Sequence, residues 1–486
     1  MGKRYYRQTT IISLGLAAFL LGLVAARRVT FVSNDGLVLL VLCLTPLLFS
    51  RTKLSLLSIV LLGLGLGCWR GAHYTQQLLP YSDLAKQKIT IHADVLGDAV
   101  YTDKSQLSFD IGQVQLVAPM DQKIPGNIKV KGYGESMVYR GDRVQVSAKL
   151  YPSRGSRQAS MGFAKIIRLQ KSDTLLQKVR RKFSSAIQSS LPEPHGSFAL
   201  GILIGQRTSL PAEFEEQLSV VGLTHIVAVS GYNLTILIHA ARRLSQRLSK
   251  YQTLCTMTGF VTVFVAITGS SASIVRATVV SGLSMWAWYY GRQFKPHLII
   301  LLSAGMTAGW APTYIWSDIG WYLSFLAFIG VLIVAPIVQA RYYTKAPKLV
   351  GQLLLETIAA QLMTLPLILY IFGRLSVISV LANMLVVPTV PFIMAASFLA
   401  GVTSMVATGL AGWFAVPTLF VMTYVVDLVR ILSTVPGAST YAFMQAWQVA
   451  VVYGIVFFLL VILWRKAPKN GTIQGVKRPT LSEPVL

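Results

Sequence analysis

The sequence predicts a polytopic α-helical membrane protein with one small extracytoplasmic β domain inserted after its third helix. The first observation is composition: 53% of the 486 residues are hydrophobic and 13% are charged, whereas soluble domains carry about 25% charged residues. The second is the recurrence of charge-free stretches of about 20 residues, the length that crosses a bilayer. The third is a polar region at residues 73–172 that alternates with the period of β-strands.

The charge-free stretches are the candidate membrane crossings. They are residues 9–26, 36–50, 54–69, 252–275, 298–317, 319–340, 375–426 and 444–464. Residues 9–26 follow the basic segment "MGKRYYRQ", as a signal peptide would, but further apolar stretches come directly after them. We therefore expect an uncleaved first helix and an N-terminal membrane region at residues 1–72.

The distribution of Lys and Arg predicts the topology, because cytoplasmic loops are enriched in both. The N-terminus carries Lys3, Arg4 and Arg7, and the loops at 240–250, 291–297 and 340–348 are basic. The tail at 466–486 is basic as well. Placing all of these on the cytoplasmic side gives about twelve crossings, within two, with both termini in the cytoplasm.

The insert at residues 73–172 reads as a small β-barrel of the oligonucleotide/oligosaccharide-binding (OB) kind. Its segments "KITIHADVLG", "QLSFDIGQVQLV", "NIKVKGYG" and "DRVQVSAKLY" alternate apolar and polar residues between Gly, Pro, Asp and Asn turns. Four or five short strands in a domain of this size suit an OB-like barrel, and a sandwich would have similar spacing.

The second half of the insert is strongly basic and suggests an anionic partner. The chain has a formal net charge of +26, and here Glu135 and Asp142 alone oppose a dense run of Lys and Arg. Aromatic side chains lie among these cations, a mixture typical of single-strand nucleic-acid binding. The alternative is a basic face beside anionic lipid headgroups. The DNA-binding candidates are Lys129, Lys131, Arg140, Arg143, Lys149, Arg154 and Arg157, and the interleaved aromatics are Tyr133, Tyr139, Tyr151 and Phe163.

Residues 173–194 predict an amphipathic helix that leads into a second membrane block at 195–465. Its apolar residues recur at helical spacing, and its cations cluster at 178–182. This composition favours a helix lying in the membrane interface, and a solvated linker helix is the alternative.

Polar and helix-breaking residues recur inside the apolar sequence of the second block. Such groups are costly in hydrocarbon, so they are usually buried in protein or line a cavity, and prolines at this depth predict broken helices. Three of them have a structural alternative: helix packing for His225, a local ion pair with Asp318 or Glu356 for Arg276, and capping or packing of a helix broken by Pro388 for Asn383. The candidates are His225, Ser230, Gly231, Asn233, Ser273, Arg276, Asp318, Trp321, Glu356, Gln361, Asn383 and Pro388.

The residue patterns predict no enzyme and no cofactor. His225 and Ser230 are five positions apart and do not share a helix face, and "AVSGY" lacks the first glycine of a nucleophile elbow. None of the six histidines forms an HxH pair typical of zinc nucleases. There is no G-x-x-x-x-G-K-[ST] nucleotide-binding motif either.

Four stretches of the second block resemble the ComEC-type competence proteins, the inner-membrane channels for DNA uptake in natural transformation. The stretches are "LGILIGQRTSLPAEFEEQLSVVGLTHIVAVSGYNLTIL" (200–237), "GSSASIVRATVV" (269–280), "DIGWYLSFLAFIGVL" (318–332) and "QLMTLPLILYIFGRLSVISVLANMLVVPTVP" (361–391). They stand in the family's order, and the three N-terminal helices with an OB-like insert resemble its layout.

The resemblance implies a multi-pass protein of the bacterial cytoplasmic membrane that passes single-stranded DNA to the cytoplasm, after capture by the outer domain. His225, Ser230 and Gly231 match the family's "H…SG" element, Ser273 and Arg276 its "ASxxR" element. Asp318 and Trp321 match its aromatic–Leu-Ser-Phe element, and Asn383 and Pro388 its "N…P" element. The implied partners are single-stranded DNA, membrane lipid, a DNA receptor on the outer face, a separate nuclease, and a cytoplasmic helicase or single-strand-binding protein.

Two features depart from the family pattern. Members often have a second histidine where this chain has Asn233, so proton transfer at that position is not expected here. Many members also end in a metallo-β-lactamase-like domain, which we do not expect in this chain. A secondary transporter of a small anion is the alternative function, since it would also use broken helices and an intramembrane arginine.

Overall fold

The computed structural model describes most of the chain as two compact units. One unit comprises Met1–Gln177 and His297–Tyr322, and the other Lys178–Pro296 and Leu323–Leu486. Residues 297–322 therefore belong with the N-terminal unit, although they lie within the second membrane block of the sequence. The described residues are 8–28, 53–101, 106–118, 122–135, 137–152, 157–206, 210–227, 230–269, 272–292, 295–343, 348–407 and 411–466.

Among these residues, eight helices are long and apolar enough to cross a membrane, as expected for a polytopic helical membrane protein. They are Gln8–Ala25, Ser55–Gln77, Lys250–Thr268, Ile319–Tyr342, Val350–Phe372, Ser379–Val406, Gly412–Ser433 and Ala446–Leu463. The predicted crossing at 36–50 lies outside the described residues. The count of about twelve crossings stays a prediction.

The α-helices are numbered here in chain order. They are α1 (Gln8–Ala25), α2 (Lys53–Asp83), α3 (Leu175–Ser190), α4 (His195–Ile204), α5 (Ala212–Val221), α6 (Thr224–Val227), α7 (Gly231–Leu244), α8 (Lys250–Thr268), α9 (Ala272–Tyr289), α10 (Pro296–Trp310), α11 (Thr313–Ser317), α12 (Ile319–Ile329), α13 (Ala335–Tyr342), α14 (Leu349–Phe372), α15 (Ser379–Val386), α16 (Val390–Val406), α17 (Ala411–Ser433) and α18 (Ala446–Lys466).

In the first unit, glycines allow α1 and α2 to pack backbone against backbone. A Cβ added to Gly67 would lie 2.2 Å from the carbonyl oxygen of Phe19, so this close approach requires glycine, as at many membrane helix interfaces. Helices α10 and α11 attach to this pair: Arg70 Nε donates to the Gly309 carbonyl (2.9 Å), and Trp316 Nε1 donates to the Leu23 carbonyl (2.8 Å).

The β domain of the first unit is a mixed seven-stranded sheet. Its strands are β1 (Lys88–Val95), β2 (Val100–Tyr101), β3 (Leu107–Ala118), β4 (Gln122–Ile124), β5 (Ile128–Tyr133), β6 (Arg143–Pro152) and β7 (Ala159–Gln170). The pairings β1–β3, β3–β5, β5–β7, β7–β6 and β6–β1 form a closed circuit of five strands, in which β5–β7 is parallel and the others are antiparallel. The short strands β2 and β4 pair with β3.

Alternation along the strands builds the core of this domain. Strand β5 alternates buried and exposed residues along its whole length, so its apolar side chains join the core and its lysines face outward. The alternating segments of the sequence correspond to β1, β3, β5 and β6. Strand β7 lacks regular alternation because it carries one extra residue between Gly162 and Ala164 relative to both neighbours.

The second unit contains several interrupted helices. Between α12 and α13 lies a π-helical segment, Gly330–Val334, and between α15 and α16 lies a 3-10 turn, Val387–Thr389, that contains Pro388. The prolines of 356–391 predicted broken helices, and Pro388 lies at such a break. Helix α14, in contrast, continues through Pro366, since an apolar environment and neighbouring helices tolerate one missing hydrogen bond.

A two-stranded sheet and a buried short helix complete this unit. Strands β8 (Arg374–Ser376) and β9 (Ser439–Tyr441) pair antiparallel. Helix α4 has ten residues, nearly all of them buried, and it is too short to cross a bilayer. It lies in the apolar core of the unit, together with residues of α5, α15, α16 and α17.

Candidate functional site

The family-like stretches contact one another at two junctions: Gly222 lies against α15, and Gly231 lies against α9 and α12. The motif residues at and beside these two junctions are here called the motif cluster; they are Gly222, His225, Ser230, Gly231, Asn233, Arg276, Gln361, Ser379 and Asn383. Gly222 ends α5 with a φ of 80°, and a Cβ added there would lie 2.7 Å from the Ser379 Cβ. The ring of His225 is exposed, and its Nδ1 lies 3.2 Å from the Gly222 carbonyl oxygen. The turn between α5 and α6 therefore packs directly on the start of α15.

Asn233 connects the start of α7 to α4. Helix α6 ends at Val227 and α7 begins at Gly231, and residues 228–229 lie outside the described residues. Asn233 is 1% exposed; its Nδ2 donates to the Ile202 carbonyl (2.9 Å), and its Oδ1 accepts from the Ser230 hydroxyl (3.2 Å). The last carbonyls of a helix lack intrahelical partners, so Asn233 satisfies one of them in α4.

The N-terminus of α7 packs against α9 and α12. A Cβ added to Gly231 would lie 3.4 Å from the Ala277 Cβ and 3.9 Å from the Phe328 ring. Next to Ala277, Arg276 is 3% exposed, and Ser273 lies half-buried one turn earlier. Three separate stretches of the sequence thus meet around a glycine, with a buried guanidinium alongside.

Helices α14 and α15 contribute the amide side chains of Gln361 and Asn383 to the motif cluster. Gln361 Nε2 donates to the Ser379 hydroxyl (2.7 Å), which donates in turn to the Ser376 carbonyl (2.9 Å). Within the described part of the chain, the buried oxygens Gln361 Oε1 and Asn383 Oδ1 have no hydrogen-bond partner. Buried amide oxygens normally have one, so water or a solute is expected here.

Pro388 and Glu356 lie beside this cluster rather than in its hydrogen-bond network. Pro388 is exposed in the turn where the Tyr232 hydroxyl donates to the Val387 carbonyl (3.5 Å). Glu356 is half-buried in α14 and accepts from Gln352 Nε2 (3.0 Å).

Asp318 and Trp321 belong to the first unit, where they begin α12. An Asp318 carboxylate oxygen accepts from the Trp321 backbone N–H (3.0 Å), the arrangement of an N-cap. The Trp321 indole donates to the Thr307 hydroxyl (3.0 Å). These contacts give both residues a structural role in the unit.

Arg374 is a site residue that the sequence reading missed. Its guanidinium donates to Glu216 Oε1 (2.8 Å) and to the Ser219 hydroxyl (3.3 Å) on α5, and it lies 5.9 Å from the centroid of the Tyr441 ring. It thereby joins α5 to the β8–β9 sheet. The charge of Arg374 within "YIFGRLSVI", an otherwise apolar segment, was the available signal.

The candidate DNA-binding cations of the β domain differ in their surroundings. Lys129, Lys131 and Lys149 are exposed. Arg157 pairs with Asp110 (2.6 Å); burial lowers its pKa, but the bond to this carboxylate prevails and raises the pKa overall. Arg143 Nη2 donates to Gln115 (3.3 Å). The Arg140 backbone N–H donates to Asp98 (3.0 Å), and Arg154 lies outside the described residues.

Comparisons with known proteins bear on the second unit. A sequence model described as "Competence protein" matches residues 202–467, more than half of the chain. ComE operon protein 3 of Bacillus subtilis (strain 168) is 26% identical over 226 residues, which are 46% of this chain and 28% of that protein. The chain thus matches little more than a quarter of the relative's length. No solved structure matches.

Proposed function

The chain belongs to the competence protein family, and from this premise we propose that it is a membrane channel that passes single-stranded DNA into the cytoplasm during natural transformation. The observation that carries the proposal is the motif cluster. At its two junctions, segments far apart in the sequence place a buried guanidinium, three amide side chains and several hydroxyl groups inside apolar helices. A polyanion needs such a path, because dry hydrocarbon excludes it and dense positive charge would hold it.

Interrupted helices support a path at the cluster. The extended backbone at Ser230, the π segment before α13 and the turn at Pro388 each free backbone polar groups from helical pairing. In a membrane protein, such backbone is tolerated where it is buried in protein or lines a water-filled cavity. These breaks lie within the family-like stretches, so we assign the path to their junction.

The β domain is proposed to be an OB-like barrel that captures DNA on the outer face of the membrane. An OB fold is a five-stranded barrel that binds oligonucleotides, and the closed circuit β1–β3–β5–β7–β6 has the matching strand number. Its exposed cations and aromatic residues supply the chemistry of single-strand binding.

The proposal includes about twelve crossings of the bacterial cytoplasmic membrane, both termini in the cytoplasm, and transport rather than catalysis. Ser230 donates to Asn233, whereas a hydrolytic serine would donate to His225. A DNA receptor, a separate nuclease, and a cytoplasmic helicase or single-strand-binding protein would complete the uptake system. The cytoplasmic partner would supply the driving force.

Deletion of the gene tests the function. We expect transformation by externally added, marked DNA to be lost, while uptake of small anions stays normal. Normal transformation with loss of anion uptake would instead establish the secondary transporter.

Substitution of Arg276 tests whether the DNA path passes the motif cluster. Arg276→Gln removes the buried charge and should abolish transformation, whereas Arg276→Lys should retain part of it, with both variants inserted at normal abundance by immunoblot. Arg292→Gln, an exposed arginine just after the same helix, is the matched control. Full transformation with Arg276→Gln would contradict the assignment.

A further inference from the structure

Strand β7 is the centre of an outward face that spans β5, β7, β6 and β1. Paired residues on neighbouring strands project to the same side of the sheet. One row across the face is Lys129–Ser160–Tyr151, and another is Tyr133–Lys165–Ser147–Thr90. Between them, Lys149 pairs with Gly162 on β7 and with Lys88 on β1. This face therefore carries both lysine side chains and aromatic rings.

Phe163 lies at the middle of this face in a strained conformation. It is the extra residue of the β7 bulge, it has a φ of 53°, and it is 77% exposed. A bulky residue with positive φ is a genuine outlier, and such a backbone conformation lowers stability. Glycine would adopt this backbone without strain. Stability alone therefore disfavours phenylalanine here, and its ring has no core to fill.

Three exposed aromatic rings, here called the file, lie along a diagonal across three adjacent strands. Tyr151 on β6, Phe163 on β7 and Tyr133 on β5 occupy successive rows, and they are 44%, 77% and 47% exposed. From the strand separation and the rise per residue, successive Cα atoms are about 8 Å apart. Such spacing suits the bases of an extended strand.

Lysines surround the file. They are Lys88, Lys129, Lys131, Lys149 and Lys165, all exposed. Lys88 and Lys149 lie directly opposite each other on β1 and β6, an arrangement that destabilises a sheet by charge repulsion. An anion bound between them would reverse this repulsion.

We infer that this β5–β7–β6–β1 face is the single-strand binding surface of the domain, with Tyr151, Phe163 and Tyr133 stacking on successive bases and the lysines contacting phosphates. The inference rests on the proposed function and assigns its capture step. OB folds usually bind along their second and third strands, here β3 and β5, whereas the face inferred here shares β5 and is centred on β7. A lipid-inserting surface would collect its apolar side chains at one tip, whereas these rings are interleaved with lysines.

Phe163→Gly in the purified full-length chain tests the inference. The glycine relieves the backbone strain and removes the ring, so we expect an equal or higher Tm together with about tenfold weaker binding of an oligothymidylate of about 16 nucleotides. Phe163→Trp keeps a stacking ring and should retain affinity. Tyr101→Ala removes an exposed ring (48% exposed) outside the file and should leave binding unchanged.

The outcomes separate the inference from the function it rests on. If the native chain binds the oligonucleotide and Phe163→Gly leaves the affinity unchanged, the assignment of this face is wrong, while the proposal of DNA uptake stands. A native chain without affinity for the oligonucleotide overturns both. Hydroxyl-radical footprinting in nanodiscs tests lipid as the occupant: protection of Phe163 by the oligonucleotide supports the inference, and protection by anionic lipid alone overturns it.

Discussion

At the scale of single residues, the Asn233 side chain donates one hydrogen bond and accepts another. Asn233→Asp replaces the donor to the Ile202 carbonyl with a second oxygen, so a buried carbonyl loses its partner. We expect a destabilisation of about 1–3 kcal/mol, seen as a lower Tm of the full chain in detergent. Thr235→Val is the control, because it removes a local hydroxyl bond within α7. Equal Tm values for Asn233→Asp and the native chain would contradict this role.

Residue types could be predicted from the sequence, but their partners could not. Asn233 stood out as a polar group in apolar sequence, yet its acceptor lies 31 positions away. Arg157 was a reasonable DNA-binding candidate by charge, and its carboxylate partner Asp110 lies 47 positions away. Pairing over such separations is decided by the fold, which a pattern of charges does not contain.

At the scale of elements, Gly330 sets how closely the π segment approaches α14. A Cβ added to Gly330 would lie 2.6 Å from the Ala359 carbonyl oxygen and 2.7 Å from the Ala360 Cα, so Gly330→Ala must push the two helices apart. Overpacking of this kind costs about 1–3 kcal/mol. Gly259→Ala in α8 is the control, since nothing lies within 4 Å of its added Cβ, and it should be neutral or stabilising. A Tm that does not fall for Gly330→Ala would show that the helices separate freely.

Elements with regular periodicity were predictable, and irregular ones were not. Strands β1, β5 and β6 alternate regularly, whereas the bulge of β7 shifts its alternation by one residue and obscures the strand pattern in the sequence. Helix α2 continues beyond the predicted boundary at 73 to Asp83, because polar residues do not end a helix by themselves.

At the scale of the whole molecule, the net charge of +26 includes cations for which two different roles are proposed. Composition predicted the membrane-protein class and an anionic partner. It could not divide the charge between the predicted cytoplasmic loops, whose cations would orient the helices, and the proposed binding surface, because the two uses share the same residue types. The grouping of residues 297–322 with the N-terminal unit could not be predicted from composition either, since it depends on packing between distant segments.

Salt dependence separates the two uses of positive charge. Each phosphate contact to a single strand contributes about 0.7 to the slope of log affinity against log salt. Replacing Lys131, Lys149 and Lys165 with Gln in the full chain should therefore reduce the slope for an oligothymidylate by about 2. Replacing Arg247, Lys250 and Arg292 removes the same net charge from exposed positions of the second unit, and should leave the slope unchanged. Equal losses from both triple variants would mean that DNA responds to the overall charge of the molecule, and the β-domain face would then have no special role.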